Sequence, residues 1–421
     1  HGVDVIVTDH HLPGAELPDA LAIVNPNLTD SEFPSSAMAG VGVIYYVLGG
    51  TRAVLKERGW FAERPVPNLA HWLDLVALGT VADVVPLDHN NRVMVSQGLK
   101  RIRRGRCRAG IKALAEVAGR RLDKLSSQDL GFAIGPRLNA AGRLDDMSIG
   151  IQCLLAADES RARELAKALD ELNLARRALE QEMVQDAELI VAGHDQEVAG
   201  RFGVSVYDSG WHQGIVGIVA GRLREKVHRP VIAFAEAGGL APDELKGSAR
   251  SVPGLHIRDV LDIIASRYHG MVVRFGGHAM AAGLSIKRVH YPRFERVFDK
   301  VVQELLPASA LAPVLASDGP LLVDEMTLPM AKQLAEGGPW GQQFPMPVFH
   351  DEFDLISQRV VGEQHLKLVL RKEGRLFDAI AFRQPALADV TRVQVLFRLE
   401  ENDYRDSVTL QLVVEHLRAL A

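Results

Sequence analysis

One long stretch without glycine or proline constrains the fold of this 421-residue chain most strongly. From Glu159 to about Ile190 the sequence is rich in Ala, Leu, Glu and Arg, and its leucines recur at core-facing intervals: Leu165, Leu169, Leu172 and Leu179. This pattern predicts a single long helix. A chain of this length is too long to fold around a single hydrophobic core, so we expect two or three domains. The helix is interpreted as a connector between two of them, with coiled-coil packing as the alternative.

The segments on either side of this helix differ in pattern. Before it, short β-branched runs at Val3–Val7 and Ala22–Val24 alternate with helical stretches at Met38–Lys56 and Leu69–Leu78. That rhythm is typical of a parallel α/β sheet. A second α/β unit follows the helix, with predicted strands at Val204–Tyr207, Val231–Phe234, Met271–Val273 and Leu284–Ile286, and predicted helices at Ile215–Val227 and Ile257–Ser266.

After Pro307 the sequence changes to short alternating strands with turns between them. They are predicted at Leu321–Val323, Phe353–Ile356, Leu366–Leu370, Ala379–Phe382, Val393–Leu399 and Ser407–Val414. Such a series suggests a small barrel or sandwich. The expected fold class is therefore α/β: a parallel-sheet domain over residues 1–150, a connecting long helix over 151–195, a second α/β domain over 196–308 and a β-barrel over 309–421.

Composition excludes several classes of protein. Hydrophobic residues make up 47% and charged residues 24% of the chain, and no apolar run approaches the roughly 18 residues that a membrane span needs. Cys107 and Cys153 make no disulfide framework, which fits a reducing cytoplasm. A net charge of −5 argues against a generally sticky nucleic-acid binder but leaves a local basic groove open. The basic run Lys100–Arg108 is either a solvated face or a DNA-backbone contact.

The first chemical candidate is Thr8-Asp9-His10-His11, where a buried strand ends and a loop begins. Ligands and metals gather at the carboxyl ends of strands in open α/β sheets. On an extended backbone His10 and His11 point to opposite sides, so one could bind metal while the other faces substrate or a second ion. The alternative is a hydrogen-bonded pair at a helix start, with Asp9 as the cap.

A second acidic residue strengthens the metal hypothesis. Asp83 lies in the apolar stretch Gly79–Leu87, after a predicted helix, and a carboxylate buried there would be costly unless it were paired or bound to metal. Imidazole with carboxylates suits Mn²⁺ or Mg²⁺ better than a thiolate metal. Asp88 and His89 lie in a polar turn and are interpreted as surface residues.

Three further stretches are candidates for phosphate binding. Gly135–Asp146 places Arg137, Asn139 and Arg143 on a predicted loop, and arginine forks match phosphate oxygens; a loop salt-bridged by Asp145 and Asp146 is the alternative. Gly276–Gly283, with His278 at its centre, follows a strand and allows close approach of an anion to the backbone. Lys246–Ser251 predicts a strand in which Ser248 and Arg250 share one face.

Taken in order, these motifs resemble the DHH phosphoesterase superfamily, and within it the RecJ-type single-strand-specific 5′→3′ DNA exonucleases. The resemblance includes Gly210–Gly217 and extends into the tail, over Gly338–Phe349 and Leu399–Arg405. It implies a DHH domain, a DHH-associated domain and an OB-like barrel, which the small DHH phosphodiesterases lack. Phe349, Phe353 and Phe377 of the tail are interpreted as barrel core, with base-stacking platforms as the alternative.

The resemblance also implies roles for particular residues. Two divalent ions, Mn²⁺ or Mg²⁺, would lie about 3.5–4 Å apart, activate water and stabilise the leaving oxygen. His10 and Asp83 would be ligands, Asp9 would ligate or orient the histidines, and His11 would face the scissile phosphate. DNA phosphates would be held by Arg137, Asn139 and Arg143, the 5′ phosphate by Ser248 and Arg250, and the nucleotide would be approached by His278.

This chain departs from the family pattern at one point. The family's remaining metal-binding aspartates lie upstream of the DHH strand, and this chain starts at His1 rather than Met, which we interpret as the loss of an upstream segment. We therefore expect an exonuclease of DNA repair and recombination that is inactive as these 421 residues alone.

The expected ligand is single-stranded DNA with a 5′ end, handled by a cytoplasmic monomer. A single-strand-binding protein and a RecQ-type helicase are partners that the resemblance implies. The alternatives are a DHH phosphodiesterase for short oligonucleotides or cyclic dinucleotides, and a non-catalytic scaffold that binds single-stranded DNA.

Overall fold

A computed structural model of the chain describes residues 2–14, 16–193, 200–239, 241–362, 365–403 and 407–420. The chain divides into two compact units. One comprises His1–Pro136, Leu154–Ala162 and Leu315–Ala421, and the other comprises Arg137–Cys153 and Arg163–Val314. None of the helices in the described ranges is both long and apolar enough to cross a membrane.

The first unit begins with two short parallel strands. The pairing is as predicted, but the first strand is shorter than the predicted Val3–Val7, and the expectation that it is buried is wrong, because Val3, Val5 and Ile6 are exposed. Strand β1 (Ile6–Thr8) pairs with β2 (Ala22–Val24), with Ile6 opposite Ala22. Along the described chain, helices α1 (Gly40–Glu57), α2 (Leu73–Ala82), α3 (His89–Arg103), α4 (Ala109–Val117) and α5 (Ser127–Asp129) follow in this unit. The next two helices, α6 (Gly135–Leu144) and α7 (Ser148–Leu155), lie mostly in the second unit.

Helices α2 and α3 pack closely because Gly98 has no side chain. A Cβ at Gly98 would lie 2.2 Å from the carbonyl oxygen of Leu73 and 2.5 Å from Cβ of Ala77. Asp88 caps α3, since its carboxylate accepts hydrogen bonds from the Asn91 backbone N–H (2.8 Å) and the Ser35 hydroxyl (2.6 Å). Asp88 is therefore a helix cap as well as a partly exposed residue.

The loop predicted over Gly135–Asp146 is wrong, because most of this segment is helix α6. It continues from a π-helical turn at Leu130–Ile134. Pro136 follows directly on this π-helical turn, where the regular α-helical hydrogen-bond pattern is already interrupted. Three apolar residues of α6 are buried, namely Leu138, Ala140 and Ala141. Their burial outweighs the turn tendency of the glycines.

The long helix is confirmed as α8, which runs from Glu159 to Ala192. Leu165 and Leu169 are buried on it, as their spacing predicts. The last two residues of the predicted connector, His194 and Asp195, lie outside the described residues.

The second unit contains a five-stranded mixed sheet in the order β3-β4-β5-β7-β6. Its strands are β3 (Val204–Tyr207), β4 (Val231–Glu236), β5 (Glu244–Arg250), β6 (Val272–Gly277) and β7 (Ala281–Lys287). Only β3 and β4 are parallel; the other neighbours are antiparallel. Strand β6 is longer than predicted, so Gly276 and Gly277 lie within a strand. Among the described residues of this unit, the helices that follow β3 are α9 (Val216–Val227), α10 (Ile257–Arg267) and α11 (Tyr291–Leu305).

The two faces of this sheet have different environments. Phe234, Leu245 and Leu284 are buried on one face in a core formed with α10 and α11. Val231 and Ala233 point to the other face, where they belong to a core formed with α9. This second face also carries the candidate phosphate-binding residues of β5.

The tail begins with helix α12 (Leu328–Glu336) and then folds as a closed barrel with the strand order β10-β12-β11-β8-β9. Its strands are β8 (Phe349–Val361), β9 (His365–Lys372), β10 (Arg375–Ala381), β11 (Arg392–Asn402) and β12 (Thr409–Leu420). The predicted barrel is confirmed, and Phe349, Phe353 and Phe377 are buried in its core. Tyr404 and Arg405 of the tail motif lie outside the described residues.

The strand predicted at Leu321–Val323 is wrong. This segment pairs with no strand in the described part of the chain, and Leu321 instead packs into the barrel core while Leu322 is exposed. The Leu321 carbonyl accepts a hydrogen bond from Nζ of Lys372 (2.9 Å), so a side chain provides its donor instead of the backbone of a neighbouring strand.

Candidate active site

The carboxylate of Asp9 organises the turn that follows β1. Its Oδ1 accepts hydrogen bonds from the backbone N–H of His10 (2.7 Å) and of His11 (3.1 Å) and lies 2.8 Å from Nδ1 of His11. The hydrogen bond with the His11 side chain is the main reason that the pKa of Asp9 lies below its usual value, and the two backbone N–H groups act in the same direction. No helix begins here, so the alternative of a helix cap is wrong: Asp9 caps a turn.

The two histidine rings lie side by side. Their centroids are 4.4 Å apart at 45°, so the expectation that they point to opposite sides is wrong. The backbone is not extended at this point, because Asp9 draws both N–H groups to one oxygen atom.

Two asparagines after β2 hold the same turn from the neighbouring strand. Asn25 Nδ2 donates to the carbonyl of His11 (2.8 Å), and Asn27 Nδ2 donates to the carbonyl of His10 (2.7 Å). The sequence indicated only a turn here. The position of both asparagines directly after β2 could have indicated this role, because the carboxyl ends of adjacent parallel strands meet at one edge of a sheet.

His10 is paired with Asp83, as the metal hypothesis requires. His10 Nε2 lies 3.4 Å from Oδ2 of Asp83, and the side chains are 19% and 43% exposed. The premise that Asp83 is buried is therefore wrong. Helix α2 ends at Ala82, and the chain turns at Asp83 with the next residue, Val84, at φ 60°, which leaves the carboxylate in contact with solvent.

The donor set of this pair fits a hard divalent ion. An imidazole nitrogen and a carboxylate oxygen 3.4 Å apart can both reach one ion at the roughly 2.0–2.2 Å typical of such bonds. Asp9 uses Oδ1 for the turn, which leaves Oδ2 for a further ligand bond. Within the described ranges, however, no three His, Cys, Asp or Glu side chains come close enough together to hold one ion.

The second unit contains a compact anion-binding arrangement. Ser248 and Arg250 alternate along β5 with buried Gly247 and Ala249, so the expected common face is confirmed. Helix α9 packs on this strand. A Cβ at Gly217 would lie 2.9 Å from Nη2 of Arg250 and 3.3 Å from the Ser248 hydroxyl. The two side chains therefore lie against the first turn of α9, where backbone N–H groups lack helical partners and favour anions.

Arg143 joins this arrangement through the loop before α9. Its Nη1 donates to the carbonyl of Gly214 (3.0 Å), and a Cβ at Gly214 would lie 2.5 Å from the carbonyl oxygen of Arg143. Although part of its surface is exposed, desolvation and then the charge of Arg176 lower the pKa of Arg143, and the charge of Glu180 opposes them. Gly214 is thus needed for the end of α6 to approach this loop.

The carboxylate of Glu180, which attracts Arg143 without contacting it, is already paired with Arg176 and Arg222. Burial, then the charges of Arg143 and Arg224, lower the pKa of Arg250. Among the residues that the structure describes, no carboxylate is in contact with Arg143 or Arg250. Two guanidinium groups held beside a hydroxyl and a helix N-terminus can bind a phosphate group.

The remaining predicted phosphate ligands differ in availability. Asn139 and Arg143 stand four residues apart on α6, are exposed and share a face. Arg137 is buried, and its Nε donates to Oδ1 of Asp170 on α8 (2.8 Å), which favours a structural role. His278 is exposed directly after β6, and its backbone N–H donates to the carbonyl of Ala281 (2.8 Å).

The basic run Lys100–Arg108 consists partly of structural residues. Arg103 Nε donates to the carbonyl of Leu125 (2.7 Å), and Arg108 forms an ion pair with the fully buried Asp74. Cys107 and Cys153 are free thiols. In the rest of the run Lys100, Arg104 and Arg106 are exposed, which favours the solvated-face interpretation for them.

Comparison with known proteins identifies the same three parts. Family models match residues 1–80 (DHH family, N-terminal domain), 199–306 (DHHA1 domain) and 317–416 (RecJ OB domain). The chain is 51% identical to the single-stranded-DNA-specific exonuclease RecJ of Dickeya dadantii and 50% identical to that of Escherichia coli. In each case the match covers 99% of this chain and 73% of the relative.

A solved structure is also similar. RecJ from Thermus thermophilus in complex with Mn²⁺ superimposes with a TM-score of 0.82 at 30% identity, covering 100% of this chain and 59% of that one. Identity of this level over nearly the whole chain establishes common descent. The chain belongs to the RecJ family of single-stranded-DNA-specific exonucleases.

Proposed function

We propose that this protein hydrolyses the phosphodiester bonds of single-stranded DNA from a 5′ end, with Mn²⁺ or Mg²⁺ as cofactor, in DNA repair and recombination. Its relatives are named for the single-strand exonuclease activity, and one was solved with Mn²⁺. The observation that carries the polarity is the arrangement of Ser248, Arg250 and Gly217. Hydroxyl, guanidinium and helix start together suit a terminal phosphate, which carries more charge than an internal one.

His10 and Asp83 would hold one divalent ion, and Oδ2 of Asp9, which the turn leaves unused, would be available to the second. The ions supply activation of water and stabilisation of the leaving oxygen. Because Nδ1 of His11 is hydrogen-bonded to Asp9, Nε2 is the nitrogen left to face the scissile phosphate. A protonated His11 would donate from Nε2 to a phosphate oxygen. Asp9 thus orients His11 and leaves one oxygen for metal.

Substrate positioning falls to the second unit. Ser248, Arg250 and Arg143 would bind the 5′ phosphate, Asn139 would contact a DNA phosphate from the same face of α6, and His278 would approach the nucleotide. Arg137 is assigned a positioning role, because its contact with Asp170 ties α6 to α8.

The polarity of recognition is tested by binding to the 421-residue chain in EDTA. We expect tighter binding of a 5′-phosphorylated single strand than of the same strand with a 3′ phosphate or of the duplex. Equal affinity for all three would contradict the proposal.

Metal binding is tested by a calorimetric titration with Mn²⁺. With its two close ligands, His10 and Asp83, the chain should bind Mn²⁺ weakly, and His10→Ala should abolish that binding. We expect no Mn²⁺-dependent digestion by the 421 residues alone.

Catalysis is tested with the natural protein and a strand labelled at its 5′ end. The label should appear first as a mononucleotide. Release of the 3′ nucleotide first, or digestion of dinucleotides in preference to long strands, would contradict the assignment and favour another DHH phosphodiesterase. We further propose a cytoplasmic monomer that works with a single-strand-binding protein and a RecQ-type helicase; sedimentation and pull-down assays test these statements.

A further inference from the structure

The loop that follows helix α12 lies against earlier helices of the first unit. We call residues Gly338–Phe344 the tail loop. Two backbone hydrogen bonds between Gly341 and Phe344, of 2.9 and 3.0 Å, close the loop on itself, and the rings of Trp340 and Phe344 stack with their centroids 4.9 Å apart. The Ser127 hydroxyl donates to the carbonyl of Trp340 (2.7 Å), which anchors the loop to helix α5. The tail loop is therefore tied both internally and to the helices.

The tail loop also contacts the connection between α2 and α3, which begins with a candidate metal ligand. We call this connection, Asp83–Asp88, the metal loop. The backbone N–H of Leu87 donates to the carbonyl of Gln342 (2.8 Å). Gly341 allows this approach, because a Cβ there would lie 2.7 Å from Cδ1 of the buried Leu87. One backbone group of Leu87 is thus held directly by the tail loop.

The other backbone group of Leu87 is held by Arg92 of α3. Nη1 of Arg92 donates to the carbonyl of Leu87 (2.9 Å). The same guanidinium lies over the ring of Phe344, with Cζ 4.2 Å from the ring centroid. A cation is attracted to the face of an aromatic ring, and the planar guanidinium can stack there while its N–H groups donate elsewhere. Phe344 therefore supports the side chain that holds the Leu87 carbonyl.

Asn91 joins the metal loop to the neighbourhood of the second candidate ligand. Asn91 is fully buried, and its Nδ2 donates to the carbonyls of Pro86 and of Ala37, both at 2.8 Å. Ala37 stands shortly before Gly40, where a Cβ would lie 3.5 Å from Cδ2 of His10. The first turn of α3 thus connects the metal loop to the segment that packs beside His10.

The carboxylate of Asp83 depends on this backbone for its position. In the described part of the chain its one polar side-chain contact is with Nε2 of His10, at 3.4 Å. Val84, the next residue, has φ 60°, so the direction of the chain changes immediately after the ligand. Contacts that orient a metal ligand from outside the first shell typically change metal affinity about 10–100-fold. For Asp83 such contacts act through the main chain of the metal loop.

We propose that the tail loop and Arg92 position the metal centre. By holding both backbone groups of Leu87, they fix the metal loop so that Asp83 and His10 can bind one divalent ion. The segment that leads into the barrel thereby contributes to metal affinity without any atom in contact with the ion. This inference rests on the proposed function, because it takes His10 and Asp83 as metal ligands.

The first test removes the two side chains that support Leu87, one at a time, in the natural protein. Phe344→Ala and Arg92→Ala should each lower Mn²⁺ affinity about tenfold, followed by the paramagnetic resonance signal of free Mn²⁺. Arg92 is partly exposed on a helix, where alanine is well tolerated, so Arg92→Ala should fold. Phe344→Tyr keeps the ring face under the guanidinium and should restore most of the affinity. Unchanged affinity in both alanine variants would overturn the inference.

Lys124→Ala is the matched control. Lys124 forms an ion pair with Asp403 at the end of β11 (2.6 Å), so it also joins the tail to the earlier helices, but it contacts neither the tail loop nor the metal loop. Its Mn²⁺ affinity should equal that of the unchanged protein. A loss equal to that of Arg92→Ala would show that any contact between these parts has the same effect, and the inference would be wrong.

The second test follows the metal loop without metal. In EDTA, hydrogen exchange of the Leu87 amide should be faster in Arg92→Ala and Phe344→Ala than in the unchanged protein, because the loop opens locally more often. Exchange in Lys124→Ala should stay at the unchanged rate. Faster exchange together with normal Mn²⁺ affinity would reduce these contacts to a purely structural role and overturn the inference.

The two levels of the proposal can fail separately. If His10→Ala and Asp83→Ala keep the Mn²⁺ affinity of the natural protein, the proposed ligands are wrong and this inference fails with them. If those two variants lose affinity while Arg92→Ala and Phe344→Ala keep it, only the inference is overturned.

Discussion

Nη2 of Arg250 lies 2.9 Å from the point where a Cβ on Gly217 would stand. This approach brings a guanidinium from β5 onto the first turn of α9. The motif Gly210–Gly217 contains no lysine or arginine, so its contribution to phosphate binding is space and backbone N–H groups. Glycine at this position is therefore part of the anion site.

Gly217→Ala should displace Arg250 and weaken selection of the 5′ phosphate. We expect the preference for a 5′-phosphorylated over a 5′-hydroxyl strand to fall about tenfold, an effect on the order of 1.4 kcal/mol. Gly221→Ala is the matched control on the same helix, because a Cβ at Gly221 would have no atom of the described residues within 4 Å. It should raise stability by up to about 1 kcal/mol and leave end preference unchanged. Equal end preference in both variants would argue against this role.

Asn27→Ala should weaken metal binding without contacting the ion. Asn27 Nδ2 holds the carbonyl of His10, so its loss frees the turn that orients the imidazole. Loss of such a supporting contact typically lowers metal affinity about 10–100-fold, which the Mn²⁺ paramagnetic resonance signal can follow in a titration. Asn68→Ala makes the same change at an exposed helix cap and should cost only about 1 kcal/mol of stability. A normal Mn²⁺ titration for Asn27→Ala would contradict the prediction.

Arg108→Ala should strongly destabilise the first unit. Asp74 is fully buried and accepts hydrogen bonds from the backbone N–H groups of Leu75 and Arg108 and from the Arg108 guanidinium. Removing the guanidinium leaves a buried charge without its counterion, at a cost of about 3–5 kcal/mol in urea unfolding. Lys112→Ala, which breaks a solvent-exposed pair with Glu159, should cost less than about 1 kcal/mol.

The two thiols should react slowly and lose their contribution to stability in base. Burial raises the pKa of Cys107 and of Cys153 to about 11, against about 8.5 in an unfolded chain. Iodoacetamide at pH 8 should therefore modify the folded chain far more slowly than the chain in urea. Because the folded pKa is the higher one, the stabilisation is complete below about pH 8.5 and declines as pH rises towards 11. The double variant Cys107→Ala, Cys153→Ala should lack this part of the decline.

Local periodicity was sufficient to predict much of the fold. The helix Glu159–Ala192, the strands β3 and β4 and the shared face of Ser248 and Arg250 all follow from residue spacing over one element. Gly135–Leu144 was mispredicted as a loop, because glycine, proline and asparagine are local turn signals. The burial of Leu138, Ala140 and Ala141 against other elements outweighed those signals.

The candidate site divides in the same way. Asp9, His10 and His11 stand out in the sequence by residue type and by their place after a strand, and Asp83 stands out as a carboxylate in an apolar stretch. The residues that contact them do not stand out in the sequence. The pairing of His10 with Asp83, the anchoring of the turn by Asn25 and Asn27, and the commitment of Arg137 to Asp170 join residues far apart in the chain.

The sequence by itself determined the family, the order of the parts and the residue types available for metal and phosphate binding, because these depend on motifs and periods within single elements. Only the tertiary structure decided which arginine is free for a phosphate, that Asp83 meets solvent, and that Gly217 leaves space beside Arg250. Space and charge balance arise where separate elements pack together, and the residues of one element do not specify what packs against them.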